Sequence, residues 1–198
     1  MKESVKIPQG TVIFLNGTSS SGKTSLLQSI QDIFEEPFLD LGLDKFIYML
    51  PRRYLKQPLW NEVLGKATSS GSMGNLLVKS MHRTILEVSS QGNNVVADHV
   101  LIEPEWVQEC ACMFFDRPAW LVAVRCPLPV LEERERKRNN RTLGQARAQY
   151  ELVHKHVVYD IEVDTSEQSP QECAEHIKDS IYHQVHPKAF TTIKNRLP

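Results

Sequence analysis

Residues 17–24 carry two glycines, a lysine and a threonine at spacings that suit a phosphate-binding loop. They satisfy the pattern G-x-x-x-x-G-K-[ST], with an apolar strand-like run before them and a helical pattern after them. Backbone N–H groups of such a loop point at phosphate oxygens, and the helix adds the positive end of its dipole. The residues expected to bind a nucleotide are Gly17, Thr18, Ser19, Ser20, Ser21, Gly22, Lys23, Thr24 and Ser25.

Lys23 and Thr24 have specific expected roles in this loop. The lysine would reach the β- and γ-phosphates, and the threonine hydroxyl would ligate Mg²⁺. The alternative is a serine- and glycine-rich turn that matches by chance. No N-K-x-D element for reading guanine occurs in the sequence, so ATP is the expected nucleotide.

Asp98 follows the apolar run Val-Val-Ala at residues 95–97. Ligands of open α/β sheets collect beyond the carboxyl ends of the strands, where this residue is expected. Asp98 therefore resembles the acidic residue that orients Mg²⁺ beside a phosphate-binding loop. The alternative is that it caps a helix or a turn.

Asp44 follows Leu-Gly-Leu at residues 41–43 and precedes Lys-Phe-Ile. Phosphoryl transfer to a hydroxyl needs a carboxylate that accepts the hydroxyl proton, and Asp44 suits that role. The residue could equally be the N-cap of a helix that begins at Lys45. The spacing alone does not separate the two.

Residues 132–141 form a strongly charged run in which some cations have local partners. Glu132 precedes Arg136 by four residues, and Glu133 precedes Lys137 by four, both in the favourable orientation for a helix.

Three arginines of that run have no such carboxylate four residues before them. Arg134, Arg138 and Arg141 follow one another by four and three residues, which is one helical face if the helix continues that far. Gathered guanidinium groups suit the charge that develops in phosphoryl transfer, which predicts a lid over the nucleotide at residues 134–147. The alternative is a solvated helix face.

The elements that position these residues alternate between strands and helices. Apolar runs predict strands at residues 11–16, 39–43, 94–97, 119–124 and 160–163, and helical spacing predicts helices at 23–35, 76–88, 105–115, 127–137, 144–155 and 170–184. This order indicates an α/β fold with a parallel sheet covered on both faces, within one domain spanning residues 1–198. The tail after Pro187 lacks periodicity and predicts a loosely held terminus.

Composition excludes several classes of function. The 198 residues have a formal net charge of -1, which argues against a nucleic-acid partner. The longest clean apolar run, residues 119–124, is too short to span a bilayer, and residues 1–10 lack the apolar stretch of a signal peptide. Four cysteines without metal-ligand spacing indicate free thiols and a cytoplasmic location.

Several motifs in one order resemble the chloramphenicol phosphotransferase-like proteins, a branch of the P-loop kinases. The likeness runs over residues 12–173 and includes LNGTSSSGKTS, PFLDLGLDKFIYMLP, GNNVVADHVL, VAVRCPLPVLEERERKRNNR and VHKHVVYDIEVDTS. It implies an adenylate-kinase-like, five-stranded P-loop NTPase fold, ATP with Mg²⁺ as donor, and transfer to a small-molecule hydroxyl. It also implies that Asp44 is the general base and that Arg134, Arg138 and Arg141 form the lid. His154 and Asp160 also match family positions; no chemical role is assigned to them, and we expect them to be packed structural residues.

Residues 51–74 depart from the resemblance and are the expected acceptor-binding insertion. Trp60, Met73, Met81 and Trp106 are candidates to line the acceptor pocket or to pack in the core. Two other functions stay open. One is a nucleotide kinase or nucleotidyl transferase, for which Arg52 and Arg53 would supply the arginines that a nucleotide acceptor needs. The other is a non-catalytic nucleotide-binding module. The acceptor's identity and the oligomeric state, a homo-oligomer included, are not fixed by the sequence.

Overall fold

The computed structural model describes residues 8–56, 59, 63, 70–138, 143–155, 157–183 and 186–197. The strands are β1 Val12–Asn16, β2 Phe38–Asp40, β3 Asn94–His99, β4 Ala119–Arg125 and β5 Ile161–Asp164. The helices are α1 Lys23–Ile33, α2 Leu43–Tyr48, α3 Ser72–Ser90, α4 Pro104–Phe114, α5 Leu128–Lys137, α6 Gln145–Tyr150, α7 Pro170–His183 and α8 Ala189–Lys194, with a short 3-10 helix Arg52–Leu55.

The five strands form one parallel sheet in the order β2-β3-β1-β4-β5. Central strand β1 is buried along its whole length, because side chains leave it alternately towards two apolar layers. Val12 and Phe14 join the layer of α3, α4 and α8, whereas Ile13 and Leu15 join the layer of α1 and α7. The α/β class and the five-stranded parallel sheet predicted from the sequence are confirmed.

The carboxyl ends of β1 and β3 lie side by side. Leu15 pairs with Asp98 and Asn16 pairs with His99 in the parallel register. The loop that leaves β1 therefore begins beside the residues that end β3. Both face the edge of the sheet where ligands of this fold class collect.

Two predicted strand ends were wrong. The second strand ends at Asp40, not at residue 43, because the Asp40 carboxylate accepts the Gly42 N–H at 3.0 Å and turns the chain. The third strand continues past Ala97 to His99, so Asp98 lies within it.

The prediction of a loosely held tail was also wrong. Residues 189–194 form α8, whose Phe190 is buried against Phe14 and Phe114, with ring centroids 5.5 and 5.9 Å away. The Asp160 carboxylate accepts the backbone N–H groups of Lys188 and Ala189 at the start of this helix. Asp160 is thus a packed structural residue, as predicted.

The helix predicted from residue 170 begins there, at Pro170, and Ser169 before it forms a reciprocal cap. The Ser169 hydroxyl accepts the Glu172 N–H at 3.2 Å, and the Glu172 carboxylate accepts the Ser169 N–H at 2.8 Å. Within the described residues, none of the helices has the length and apolar character needed to cross a bilayer.

Candidate active site

The loop between β1 and α1 has the backbone of a phosphate cradle. Ser20 and Gly22 adopt positive φ values of 66° and 90°. A Cβ on Gly17 would lie 2.6 Å from the Val124 carbonyl oxygen, so only glycine fits there. The cavity wall includes residues 19–24 of this loop, but not Gly17, Thr18 or the exposed Ser25.

Lys23 is buried at the centre of this cradle. Its ammonium group donates to the carbonyl oxygens of Gly17 and Thr18 at 2.8 and 2.7 Å. The hydroxyl groups of Ser19, Ser20 and Ser21 are buried and have no hydrogen-bond partner among the described residues. A buried cation beside unpartnered donors fits the phosphate chain of a nucleotide, because polar groups buried in this way need a ligand or water.

Asp98 lies on the cavity wall beside this cradle. Burial raises the pKa of its carboxyl group, and the neighbouring Asp44 and Asp40 carboxylates add to the rise. The Lys23 ammonium and the Leu43 backbone N–H oppose it. Leu43 is the first residue of α2, so Asp98 accepts a backbone N–H at the start of this helix, which is the capping role given above as the alternative. The Mg²⁺ role of Asp98 stays a prediction.

Asp44 lies in the first turn of α2 and lines the same cavity. Gly42 is the N-cap residue of this helix, so Asp44 does not hold the N-cap position that the sequence left open. A Cβ on Gly42 would collide with the Asp98 carboxylate. The close approach of α2 to β3 therefore brings Asp44 and Asp98 to one cavity.

Asp40 is a third carboxylate at this edge, and sequence reasoning missed it. Its oxygens accept the Gly42 N–H at 3.0 Å and pair with the Lys45 ammonium at 3.2 Å. The Asp-x-Gly spacing is the signal that could have identified this turn. Asp40 shapes the approach to α2 and does not line the cavity.

Helix α5 does not continue far enough to place the three predicted arginines on one helical face. Helix α5 ends at Lys137, and Arg138 has extended backbone angles of −94° and 106°. Arg138 still lines the cavity. Arg134 instead donates to the Thr165 hydroxyl and carbonyl oxygens at 3.0 and 2.7 Å and does not line the cavity. Arg141 lies outside the described residues, so its role and that of Arg134 towards a nucleotide stay predictions.

One of the two predicted salt bridges in this helix is confirmed. Glu133 and Lys137 pair at 2.6 Å on the surface. The carboxylate of Glu132 pairs with Arg147 at 2.7 Å, whereas Arg136 donates to the Glu132 backbone oxygen and, among the described residues, not to its carboxylate. The Glu132–Arg136 prediction was wrong because Arg147, from the following helix, reaches the same carboxylate.

Helix α6 adds two cavity residues that the sequence analysis did not single out. Gln145 and Gln149 are buried and line the cavity. The Gln149 side-chain oxygen accepts the Ser19 N–H at 2.8 Å. Gln145 and Gln149 are four residues apart, about one helical turn. Polar residues at this spacing are too common for the sequence to identify such a contact.

The remaining cavity wall is mostly apolar, and the cavity volume is about 250 Å³. Trp106 lies in this wall, held by a hydrogen bond of 2.9 Å from its indole N–H to Asn75. Met81 packs in the core, Met73 does not line the cavity, and Trp60 lies outside the described residues. Among the described residues, the apolar lining is Leu43, Ile47, Tyr48, Leu55, Val63, Val78, Val100, Ile102 and Trp106.

A buried histidine pair extends from the cavity wall to the surface. Val100 N–H donates to His99 Nδ1 at 2.7 Å, so the His99 proton lies on Nε2 and is donated to His82 Nε2. The other His82 nitrogen then donates to the Glu109 carboxylate at 2.9 Å. Burial lowers the pKa of both histidines, and the Glu109 carboxylate partly opposes the effect at His82.

His154 has a structural partner, as the sequence analysis expected. Its Nδ1 lies 2.7 Å from the Tyr159 hydroxyl, which in turn accepts the Asn16 amide N–H at 2.7 Å. Burial and the nearby Arg125 lower the pKa of His154 to about 4. This contact fixes the segment after α6 against the end of β1.

A parallel sheet, a lysine-bearing phosphate cradle and neighbouring carboxylates define a P-loop kinase scaffold. The chain belongs to the family of chloramphenicol phosphotransferase-like proteins, whose model matches residues 10–182. Two curated Mycobacterium tuberculosis sequences, both named "Putative O-phosphotransferase", are 29% identical over 203 residues, covering 96% of this chain and 90% of theirs.

Solved kinases share the fold at low sequence identity. A sugar kinase from Janibacter sp. superposes with a TM-score of 0.66 at 16% identity, covering 88% of this chain and 95% of its own. The Mycobacterium tuberculosis APS kinase gives 0.61 at 18% identity, covering 88% and 99%. The shikimate kinase of Aquifex aeolicus gives 0.57 at 21% identity, covering 87% and 96%.

Proposed function

We propose that this protein transfers the γ-phosphoryl group of ATP to a hydroxyl of a small molecule. The observation that carries the proposal is one cavity wall that holds both the phosphate cradle with Lys23 and the carboxylate of Asp44. The fold of an APS kinase solved with AMPPNP and APS supports an adenine nucleotide as donor. Four free cysteines support a cytoplasmic location.

The proposed reaction forms one phosphorus–oxygen bond and breaks another. The acceptor oxygen attacks the γ-phosphorus, the bond from that phosphorus to the β,γ-bridging oxygen breaks, and ADP leaves. Asp44 accepts the proton of the attacking hydroxyl. Lys23 and Arg138 bind the charge on the transferred group and its phosphate chain.

Mg²⁺ would be held by the Thr24 hydroxyl and the Asp98 carboxylate, both on the cavity wall. Sites for this ion in phosphoryl-transfer enzymes use few protein oxygens, with phosphates and water completing the coordination. The bound ion supplies neutralisation of the phosphate charge.

The walls of the cavity favour a neutral and largely apolar acceptor. Ile47, Val78 and Trp106 line the same cavity as Asp44 and Asp98, and the cationic residues of the described wall are Lys23 in the phosphate cradle and Arg138 after α5. A nucleoside monophosphate acceptor would need cations on the acceptor side.

Arg52 and Arg53 do not meet that need in this structure. Both are exposed on the 3-10 helix, outside the cavity wall, and the Arg53 guanidinium lies over the Tyr54 ring. The geometry therefore favours an uncharged alcohol over a nucleotide or a sugar acid as the acceptor.

The test is incubation with Mg·ATP and three acceptor groups: neutral apolar alcohols, hydroxy acids and nucleoside monophosphates. Mass spectrometry then identifies products heavier by one phosphate. We expect products among the neutral alcohols, lost in Asp44→Asn and retained in Asp32→Asn, the same change at an exposed position on α1. Products confined to nucleoside diphosphates would show a nucleotide kinase instead.

A further inference from the structure

Gln149 connects helix α6 to the phosphate loop across 130 residues of sequence. Its side chain is buried, with 5% of the residue exposed, and its oxygen accepts the Ser19 N–H at 2.8 Å. Because a backbone N–H can only donate, the amide oxygen must face Ser19, and the NH₂ group is directed elsewhere. Gln149 also lines the cavity, and its NH₂ group has no hydrogen-bond acceptor among the described residues.

The contact with Ser19 lies at the end of the cradle where the γ-phosphoryl group is expected. The Lys23 ammonium bonds the carbonyl oxygens of Gly17 and Thr18, so its charge lies at the Gly17–Thr18 end of the loop. The lysine of a P-loop reaches the β- and γ-phosphates. Ser19 is the next residue, and its own hydroxyl is buried without a partner among the described residues.

Helix α6 is fixed on both sides, so the position of Gln149 is well defined. At its start, the two oxygens of the buried Glu135 accept the N–H groups of Gly144 and Ala146 at 2.7 and 2.9 Å. Beyond its end, the Val153 carbonyl oxygen accepts the Asn16 amide N–H at 2.8 Å. These contacts join the helix to α5 and to β1.

We propose that Gln149 belongs to the phosphoryl-transfer site: its carbonyl oxygen holds the loop at Ser19, and its NH₂ group donates to the γ-phosphoryl oxygens. This inference rests on the proposed function. One preorganised donor of this kind contributes roughly 10²- to 10³-fold to turnover when it meets charge that develops in the transition state. ADP has no γ-phosphate, so Gln149 distinguishes the triphosphate from the diphosphate.

The test compares the Kd values of Mg·ATP and Mg·ADP by calorimetry in three variants. Gln149→Glu keeps an acceptor for Ser19 N–H but replaces the donor with a carboxylate oxygen. Gln149→Met removes both hydrogen bonds and keeps a side chain of similar length. Gln108→Glu makes the same charge change at an exposed site on α4 and serves as the control.

We expect the ratio of the ADP Kd to the ATP Kd to fall by about tenfold or more in both Gln149 variants, the size of one charge-assisted hydrogen bond. The control should keep the wild-type ratio. Equal losses for the two nucleotides would show that Gln149 only braces the loop, and unchanged affinities would also overturn the proposal. If thermal melting shows that Gln149→Glu is unfolded, the ratio in Gln149→Met decides in the same way.

The wild-type titrations separate failure of this inference from failure of the proposed function. A wild-type protein that binds Mg·ATP, with an unchanged ratio in the variants, overturns the role of Gln149 alone. A wild-type protein that binds neither nucleotide overturns the proposed function and this inference with it.

Discussion

The Nε2 atoms of His82 and His99 lie 2.7 Å apart in the buried core between α3 and β3. Only one proton fits between them, so the pair is stable when both rings are neutral. The other nitrogen of His82 contacts the Glu109 carboxylate, and the other nitrogen of His99 accepts the Val100 N–H. The two neutral rings carry one N–H proton each, and a third ring proton on the pair would break one of these hydrogen bonds.

We predict that acid destabilises the protein through this pair. Burial lowers the pKa of both histidines in the folded state, whereas the unfolded chain binds these protons near pH 6.5. The unfolded state therefore binds more protons below that pH, and the free energy of unfolding falls as the pH drops from about 7 to 5. The limiting slope is about 1.4 kcal/mol per pH unit for each histidine.

Urea unfolding at pH 7.5, 6.5 and 5.5 measures this slope. His82→Gln should reduce it, while His176→Gln, at an exposed site on α7, should leave it unchanged. An equal slope in wild type and His82→Gln would show that the pair is not the source of the acid sensitivity.

Asp98→Asn should stabilise the nucleotide-free protein and weaken its activity. Burial and the neighbouring carboxylates raise the pKa of Asp98, so its ionised form lowers folding stability at neutral pH. The amide still offers an oxygen to the Leu43 N–H but removes the charge that Mg²⁺ needs. We expect a Tm rise of about 2 °C or more without nucleotide and weaker Mg²⁺-dependent ATP binding. A lower Tm would contradict this account of the carboxylate.

Gly42→Ala should act through Asp98. The added Cβ would collide with the Asp98 carboxylate, so either α2 or the carboxylate must shift. We expect a loss of about 1–3 kcal/mol in unfolding free energy. Combining it with Asp98→Ala should cost less than the sum of the two single changes, because the colliding group is gone. Strict additivity in urea unfolding would place the clash elsewhere.

Arg134→Lys should destabilise the fold more than Arg136→Lys. The half-buried Arg134 donates to both oxygens of Thr165 and so joins α5 to the loop after β5. A lysine cannot make this two-pronged contact, and we expect a loss of about 1–3 kcal/mol. The exposed Arg136 donates to the Glu132 backbone oxygen, and its replacement should change stability by less than about 0.5 kcal/mol. Equal effects in thermal unfolding would count against a structural role for Arg134.

Local sequence patterns predicted the parts of the site that local chemistry defines. The cradle around Lys23 depends on glycines at fixed spacing, and Asp98 directly follows the apolar run at residues 95–97. The contact between Gln149 and Ser19 depends on tertiary packing across 130 residues, which no local pattern encodes. The His82–His99 pair was missed for the same reason.

Element ends were less predictable than the elements themselves. The predicted second strand ran to residue 43, yet β2 ends at Asp40, where the carboxylate accepts the Gly42 N–H and turns the chain. Helix α8 has only six residues, too few for a periodic signal, and forms because Phe190 completes the core beside Phe14.

The central claim is that the cradle around Lys23 binds a nucleoside triphosphate together with Mg²⁺. Calorimetric titration of ATP into the wild-type chain, with and without Mg²⁺, tests it most directly, with Lys23→Met as the comparison. The account predicts Mg²⁺-dependent binding to the wild type that is largely lost in Lys23→Met. Equal affinity in both chains, or no Mg²⁺-dependent affinity for any nucleoside triphosphate, would contradict it.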